Sequence, residues 1–150
     1  MARVLVIEDD ESVREYVVAS LTAGGHTVST AMNGKEGLAI FRGDPADVVI
    51  TDIVMPEQDG VGVVMALRAE YPDVPIIATS GNVMYSSLYL GLARKLGARR
   101  ILQKPFSPKQ LLAIVAEVLS EKKPTDIVGE SSPAQRIVVV DRAFRSQTNQ

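Results

Sequence analysis

Polar side chains suited to phosphate chemistry follow four short apolar runs of the sequence. In chain order they are Glu8, Asp9, Asp10, Asp52, Ser80 and Lys104. Carboxylate oxygens are ligands that Mg2+ prefers, and an ionised carboxylate can itself attack phosphorus. An ammonium group and a hydroxyl can bind the oxygens of a phosphoryl group. These residue types predict a phosphoryl-transfer site with a divalent cation, provided that the fold brings them together.

The apolar runs are typical of buried strands, and segments with helical periodicity separate them. Strands are predicted at residues 4–7, 27–31, 48–51, 76–79 and 101–103. Helices are predicted at about residues 12–23, 35–41, 60–70 and 85–96, and a last helix begins at Ser107. This succession of βα units predicts an α/β fold, a parallel sheet covered by helices on both faces. Because the carboxyl ends of parallel strands share one edge of the sheet, the polar residues are expected to converge there.

Apolar stripes indicate which faces of the helices turn inward. The stripe of the first helix consists of Val13, Tyr16, Val17 and Leu21, and that of the third consists of Val61, Val64, Met65 and Leu67. Asp10 precedes the first helix, and we expect it to cap that helix rather than to bind a metal ion. Ser107 and Gln110 have the spacing of a capping box at the start of the last helix.

The composition excludes several classes of protein. The chain has 150 residues, 46% of them hydrophobic, which is enough for one domain with a substantial core. No apolar run approaches the roughly 20 residues of a membrane span. The absence of cysteine excludes disulfides and thiolate metal sites, and the net charge of −2 argues against direct DNA binding. We therefore expect a cytoplasmic protein that makes no membrane contact.

The last part of the chain differs from the rest. The βα pattern predicts a compact domain over residues 1–122, followed by a linker-like tail at 123–150 that is rich in proline, glycine and serine. Within the tail, the apolar and β-branched run 137–140 is a candidate short strand. We expect this run to pair with a sheet edge of the same chain or of a second copy in a homodimer, or to bind a partner.

Four stretches of the chain resemble the receiver domain of the two-component response-regulator family. They are residues 4–14, residues 51–56 with the following Asp59-Gly60, residues 75–81 and residues 104–106. These stretches are spread along the chain, and the resemblance covers about residues 2–122. The resemblance implies a flavodoxin-like (βα)5 fold with a five-stranded parallel sheet. The strand order implied for such receivers is 2-1-3-4-5.

The same resemblance implies a role for each polar residue. Asp52 is the implied phosphoacceptor, and Ser80 and Lys104 are implied to bind the phosphoryl group. The implied Mg2+ ligands are Glu8, Asp9, Asp52 and the backbone carbonyl of Val54, with Asp9 the more direct member of the acidic pair. The resemblance also implies a cis peptide bond between Lys104 and Pro105. Ile101 stands where the family often carries an aromatic switch residue.

The leading hypothesis is a phosphorylation-controlled signalling switch, not a turnover enzyme. A partner histidine kinase or phosphotransfer protein would phosphorylate Asp52, and the added charge would reshape the surface of the fourth helix and fifth strand for an output partner that the sequence does not specify. Two alternatives remain open. One is an adaptor that works without phosphorylation, and the other is a phosphatase with an aspartyl nucleophile. A nucleotide-binding module is disfavoured because no glycine-rich loop follows the first strand.

Overall fold

Strands and helices alternate from one end of the domain to the other. The computed structural model describes residues 1–53, 60–81 and 86–121. The strands are β1 (Arg3–Ile7), β2 (Thr27–Ala31), β3 (Val48–Asp52), β4 (Ile76–Ser80) and β5 (Arg100–Gln103). The helices are α1 (Glu11–Ala23), α2 (Gly34–Gly43), α3 (Gly60–Glu70), α4 (Ser86–Leu96) and α5 (Pro108–Ser120). Each lies close to the bounds predicted from the sequence.

The strands form one parallel sheet in the order β2-β1-β3-β4-β5, which confirms the predicted flavodoxin-like architecture. The central strand β3 is buried along its whole length, as its continuous apolar run predicts. The register places Asp52 beside Thr79 of β4, and Ser80 beside Gln103 of β5. The polar residues that follow these strands therefore gather at one edge of the sheet.

The two faces of the sheet have separate apolar cores. Val4 and Val6 of β1 pack with buried residues of α1 and α5, whereas Leu5 and Ile7 pack with α2 and α3. This alternation follows from the period of two residues along a strand. Helices therefore pack on both faces of the sheet, and the residues that follow the strands extend from a well-packed edge.

Two side chains of the predicted inward stripes lie at the surface. Tyr16 is 40% exposed and Met65 is 53% exposed, so their inward placement was wrong. On α1 the core positions are Val17 and Leu21, and the Tyr16 ring instead lies beside the Phe106 ring. On α3 the buried residues include Val63 and not Met65, because α3 packs against α2 as well as α4, and the apolar stripe does not reveal both neighbours.

The predicted caps are present at the starts of α1 and α5. The Asp10 carboxylate accepts a hydrogen bond from the Val13 backbone N–H at 3.1 Å. Ser107 Oγ accepts from the Gln110 N–H at 3.1 Å, and the Gln110 side chain accepts from the Ser107 N–H at 2.8 Å. These bonds satisfy backbone donors that have no partner within a helix, and they fix where each helix begins.

Residues 1–120 form one compact unit. The predicted tail and its candidate strand at 137–140 lie outside the described residues, so the proposed boundary near residue 122 stays a prediction. Within the described ranges, none of the helices combines the length and the apolar character that a membrane span requires.

Candidate functional site

Three carboxylates meet at the carboxyl edge of the sheet. Glu8 and Asp9 directly follow β1, and Asp52 is the last residue of β3. One carboxylate oxygen from each lies within 4.8 Å of the others. Glu8 and Asp52 are buried, while Asp9 is exposed. The structure thus brings together the acids that the sequence predicted to converge, and it leaves one side of the cluster open to solvent.

Lys104 enters this cluster from the segment after β5. Its Nζ lies 2.8 Å from Oε1 of Glu8 and 3.5 Å from Oδ2 of Asp52. The Lys104 backbone N–H donates to the Ser80 carbonyl at 3.0 Å, which extends the pairing of β4 and β5 to the site. Ser80 is fully buried at the end of β4. The predicted lysine and hydroxyl therefore come from neighbouring strand ends.

Burial and charge act in opposite directions on this ion pair. Burial raises the pKa of the Glu8 carboxyl, and the negative charge of Asp52 raises it further, while the hydrogen bond from Lys104 opposes the shift without cancelling it. Burial alone would lower the pKa of Lys104. The hydrogen bond to Glu8 and the charge of Asp52 together outweigh burial, so the pKa of Lys104 is raised. Lys104 is therefore a firmly charged cation within an acidic cluster.

The backbone around Glu8 is held by residues of the loop and of α1. Glu8 Oε2 accepts a hydrogen bond from the Asp10 N–H at 3.2 Å, and the Glu8 carbonyl accepts from Arg14 Nη1 at 2.9 Å. Because the Asp10 carboxylate caps α1, the expectation that Asp10 is a cap is confirmed. Arg14 therefore supports the backbone of the site, a role that no sequence pattern predicted.

Gly60 is a second residue whose role at the site emerges only from the structure. A Cβ at this position would lie 2.0 Å from the backbone oxygen of Asp52 and 2.6 Å from Cα of Ile53. The Gly60 N–H donates to the Ile53 carbonyl at 2.8 Å. Only a residue without a side chain allows the start of α3 to approach the end of β3 this closely. The Asp-Gly pair at 59–60 was the available sequence signal.

Three further features implied by the resemblance concern the surroundings of the site. The Lys104–Pro105 peptide bond is cis, as the resemblance implied. Ile101 is partly buried and packs against a small core that contains Ala78 and Ala93. The backbone carbonyl of Val54, the remaining implied metal ligand, lies outside the described residues.

The single histidine lies at the other end of the sheet. His26 Nδ1 accepts a hydrogen bond from the Ala2 N–H at 3.1 Å, next to the amino end of β1. The basic residues near residue 95 are also separate from the acids: Arg94 and Lys95 occupy the last turn of α4, where cations interact favourably with the helix dipole. Neither feature contributes to the cluster.

The acidic cluster fits a hard divalent cation. Its donors are carboxylate oxygens, which Mg2+ prefers, and the exposure of Asp9 leaves room for water and phosphate oxygens in the coordination sphere. Two buried carboxylates beside a third also carry mutual repulsion that a cation relieves. The described residues can therefore hold a metal ion at this edge of the sheet.

Comparison with known proteins assigns the domain to one family. The family model described as "Response regulator receiver domain" matches residues 4–116. The chain belongs to this family. The receiver domain is 37% identical to the response regulator MprA of Mycolicibacterium vanbaalenii over 130 residues, covering 87% of this chain and 55% of that protein. It is 41% identical to the probable transcriptional regulator ycf27 of Porphyra purpurea over 117 residues, covering 78% of this chain and 47% of that protein.

Solved structures agree with this assignment. The chemotaxis response regulator CheY4 of Vibrio cholerae is similar with a TM-score of 0.71 and 33% identity, covering 79% of this chain and 98% of that one. The receiver domain of NtrX from Brucella abortus has a TM-score of 0.75 at 24% identity, covering 79% of this chain and 99% of that one, which is a likeness of fold. The chain spans about half the length of the curated relatives that it matches.

Proposed function

We propose that this receiver domain is the phosphoacceptor of a two-component system and that Asp52 accepts the phosphoryl group from a partner histidine kinase or phosphotransfer protein. The observation that carries the proposal is the position of the buried Asp52 carboxylate, which lies among two further acids and 3.5 Å from the Lys104 ammonium. The proposed nucleophile, the proposed metal ligands and the lysine proposed to bind the phosphoryl group thus lie next to one another.

The proposed reaction exchanges one bond to phosphorus for another. A carboxylate oxygen of Asp52 forms the new bond, and the bond between phosphorus and the nitrogen of the donor imidazole breaks. The electron pair leaves with the imidazole, which then takes up a proton. Phosphoryl transfer depends on positioning and on neutralisation of charge. The chain's own contributions are Lys104 and Ser80, which would bind oxygens of the transferred group.

Mg2+ is the proposed cofactor, held by Glu8, Asp9, Asp52 and the backbone carbonyl of Val54. When bound, it supplies positive charge that offsets the repulsion between an anionic nucleophile and an anionic donor. Within the pair of Glu8 and Asp9, Asp9 is the proposed direct ligand because its carboxylate is the exposed member of the cluster and can change partners at low cost. Glu8 would exchange part of its contact with Lys104 for the cation.

The proposed output is a change at the surface of α4 and β5. A phosphoryl group on Asp52 would draw Lys104 from Glu8, and would draw the hydroxyl of Ser80 inward. Ser80 pairs with Gln103, and Lys104 follows β5 directly, so displacement at either residue reaches β5. On α4, Leu88 and Leu92 lie one turn apart and are 68% and 43% exposed. This apolar surface is the proposed contact for the output partner.

We propose that the domain is a switch in the cytoplasm and not a turnover enzyme. Its only expected chemistry is phosphorylation of Asp52 and hydrolysis of the product. An aspartyl-nucleophile phosphatase requires a second acid placed to protonate the leaving group, and the sequence Asp52-Ile53-Val54 has no acid in the two positions after the nucleophile. In this proposal the neighbouring Glu8 and Asp9 hold the cation instead.

The experiment is incubation with Mg2+ and acetyl phosphate, followed by intact mass measurement. The wild-type protein should gain one phosphoryl group, and Asp52→Asn should gain none, because an amide is nearly isosteric with a carboxylate but is not nucleophilic. Asp10→Asn is the matched control, since asparagine also caps helices and the change removes the same charge. An unmodified wild-type protein, or equal modification of Asp52→Asn, would refute the proposal.

A further inference from the structure

Helix α1 contacts both segments that carry the Glu8–Lys104 ion pair. At its first turn, Arg14 Nη1 donates to the backbone carbonyl of Glu8 at 2.9 Å. Nearby on the same helix, the Tyr16 hydroxyl donates to the backbone carbonyl of Phe106 at 2.7 Å. Phe106 is two residues after Lys104. One helix therefore fastens the backbone on each side of the ion pair, through two side chains that lie close together in sequence.

Backbone hydrogen bonds hold the segment that carries Lys104 on both sides. On its amino side, the Lys104 N–H donates to the Ser80 carbonyl at 3.0 Å. On its carboxyl side, the capping box of Ser107 begins α5. Between these two anchors, the bond from Tyr16 holds the carbonyl of Phe106, whose ring is buried and lies 6.2 Å from the Tyr16 ring. The Tyr16 hydroxyl is thus a specific restraint on the short connection between β5 and α5.

Packing alone does not account for Tyr16. Its side chain is 40% exposed, whereas the neighbouring Val17 and Leu21 fill the core beneath α1. A phenylalanine would keep the ring contact with Phe106 and lose only the hydrogen bond. The bond spans 90 positions of the chain, so it also ties two distant parts of the sequence together.

We propose that Tyr16 is a positioning residue: through the Phe106 carbonyl it fixes the backbone from which Lys104 reaches into the acidic cluster. The inference rests on the proposed function, in which the Lys104 ammonium contacts Glu8 before phosphorylation and the phosphoryl group afterwards. The two targets are close, so the Lys104 side chain can pass from one to the other while Tyr16 holds the backbone on its carboxyl side, at Phe106. A loose backbone would lengthen the reach and weaken the contact with the phosphoryl group.

The first test compares Tyr16→Phe with wild type in the reaction with Mg2+ and acetyl phosphate. The rate of phosphorylation should fall about two- to tenfold, the range expected for the loss of one hydrogen bond. Tyr71→Phe is the matched control, because Tyr71 packs against Phe41 on the other side of the sheet. A Tyr16→Phe rate equal to that of wild type would overturn the inference. A wild-type protein that gains no phosphoryl group would instead refute the proposed function.

A second comparison separates positioning of Lys104 from general support of the fold. In a Lys104→Met background, Tyr16→Phe should cause no further loss of rate, because the group that it positions is gone. An equal fold-change in both backgrounds would mean that Tyr16 supports the site by another route, and it would overturn the inference.

Amide hydrogen exchange gives a readout that needs no phosphorylation. Tyr16→Phe should speed exchange at Lys104 and Phe106, while Tyr71→Phe should leave both unchanged. Unchanged exchange in Tyr16→Phe would contradict the proposed restraint, whatever the outcome of the rate measurements.

Discussion

The ammonium of Lys104 lies 2.8 Å from the carboxylate of Glu8, and both side chains are largely shielded from solvent. This contact means that the positive charge of Lys104 is already engaged before any phosphoryl group arrives. A phosphoryl group on Asp52 would have to compete with Glu8 for the same ammonium. The resting state therefore contains a contact that the proposed phosphorylated state gives up, and this exchange of partners is how charge at Asp52 would reach β5.

Glu8→Gln should change how the stability of the metal-free domain depends on pH. The pKa of Glu8 in the folded state is raised above 4.5, chiefly by burial. A carboxyl with a raised pKa contributes stability below its unfolded pKa and loses that contribution as pH rises through the folded pKa. The free energy of unfolding of Glu8→Gln, relative to wild type, should therefore rise with pH from about 4.5 upward.

Chemical denaturation at several pH values without metal checks this difference. Glu15→Gln, an exposed position on α1, is the control for the loss of one carboxylate charge. A difference between Glu8→Gln and wild type that falls with pH would show that ionised Glu8 stabilises the fold through Lys104, and a flat difference would show that folding does not shift the Glu8 pKa. Either result would contradict the prediction.

Asp9→Asn should weaken Mg2+ binding more than Asp10→Asn does. Both changes remove one negative charge from the same loop, but only the Asp9 carboxylate belongs to the acidic cluster. The Asp10 carboxylate is directed to the start of α1, where asparagine can replace it. Calorimetric titration with Mg2+ measures both affinities, and the reverse order would make Asp10 the metal ligand.

Gly60→Ala should destabilise the domain by about 1–3 kcal/mol, the usual cost of forcing extra atoms into a packed site. The added Cβ would meet the backbone oxygen of Asp52 at 2.0 Å, and backbone atoms cannot move aside as a flexible side chain can. Gly91→Ala on α4 is the control: apart from its chain neighbours and the backbone of its own helix, no atom lies within 4 Å of its Cβ position. It should stabilise α4 by about 1 kcal/mol, the difference in helix propensity. Thermal or denaturant unfolding of both variants tests the pair, and equal stabilities would contradict the tight approach at Gly60.

Most of the fold could be predicted because each element carries its own local pattern. Strands such as Val48–Asp52 begin with an apolar run, and caps such as Asp10 and Ser107 are short-range signals. Tyr16 and Met65 were misplaced because periodicity gives the apolar stripe of a helix but not the neighbours that cover it. Those neighbours depend on how helices pack, which is a property of the folded domain.

The residues that form the site could be predicted for the same reason, but the contacts between them could not. The topology alone brings Asp52 and Lys104 to one edge of the sheet. The contact of Lys104 with Glu8 and the hydrogen bond from Tyr16 to Phe106 depend on side-chain directions and on distances between segments far apart in sequence. A single sequence carries no local signal for such pairs.

Truncation after Lys123 should leave phosphorylation of Asp52 unchanged. The last described helix ends at Ser120, and the residues of the site all come from the unit 1–120. The predicted role of the run 137–140 is in self-association or partner binding. Sedimentation analysis of the full and truncated chains, beside the phosphorylation rate of each, tests both statements. A truncated chain with a much slower rate would assign the tail a role at the site.

The most direct test of the account is to locate the phosphoryl group on the chain. The wild-type protein is phosphorylated with Mg2+ and acetyl phosphate, the acyl phosphate is reduced with borohydride, and the peptides are sequenced by tandem mass spectrometry. The account predicts a single reduced residue at Asp52. Reduction at Asp9 or Asp10, or an acid-labile phosphoryl group on His26, would contradict the assignment of Asp52 as the phosphoacceptor.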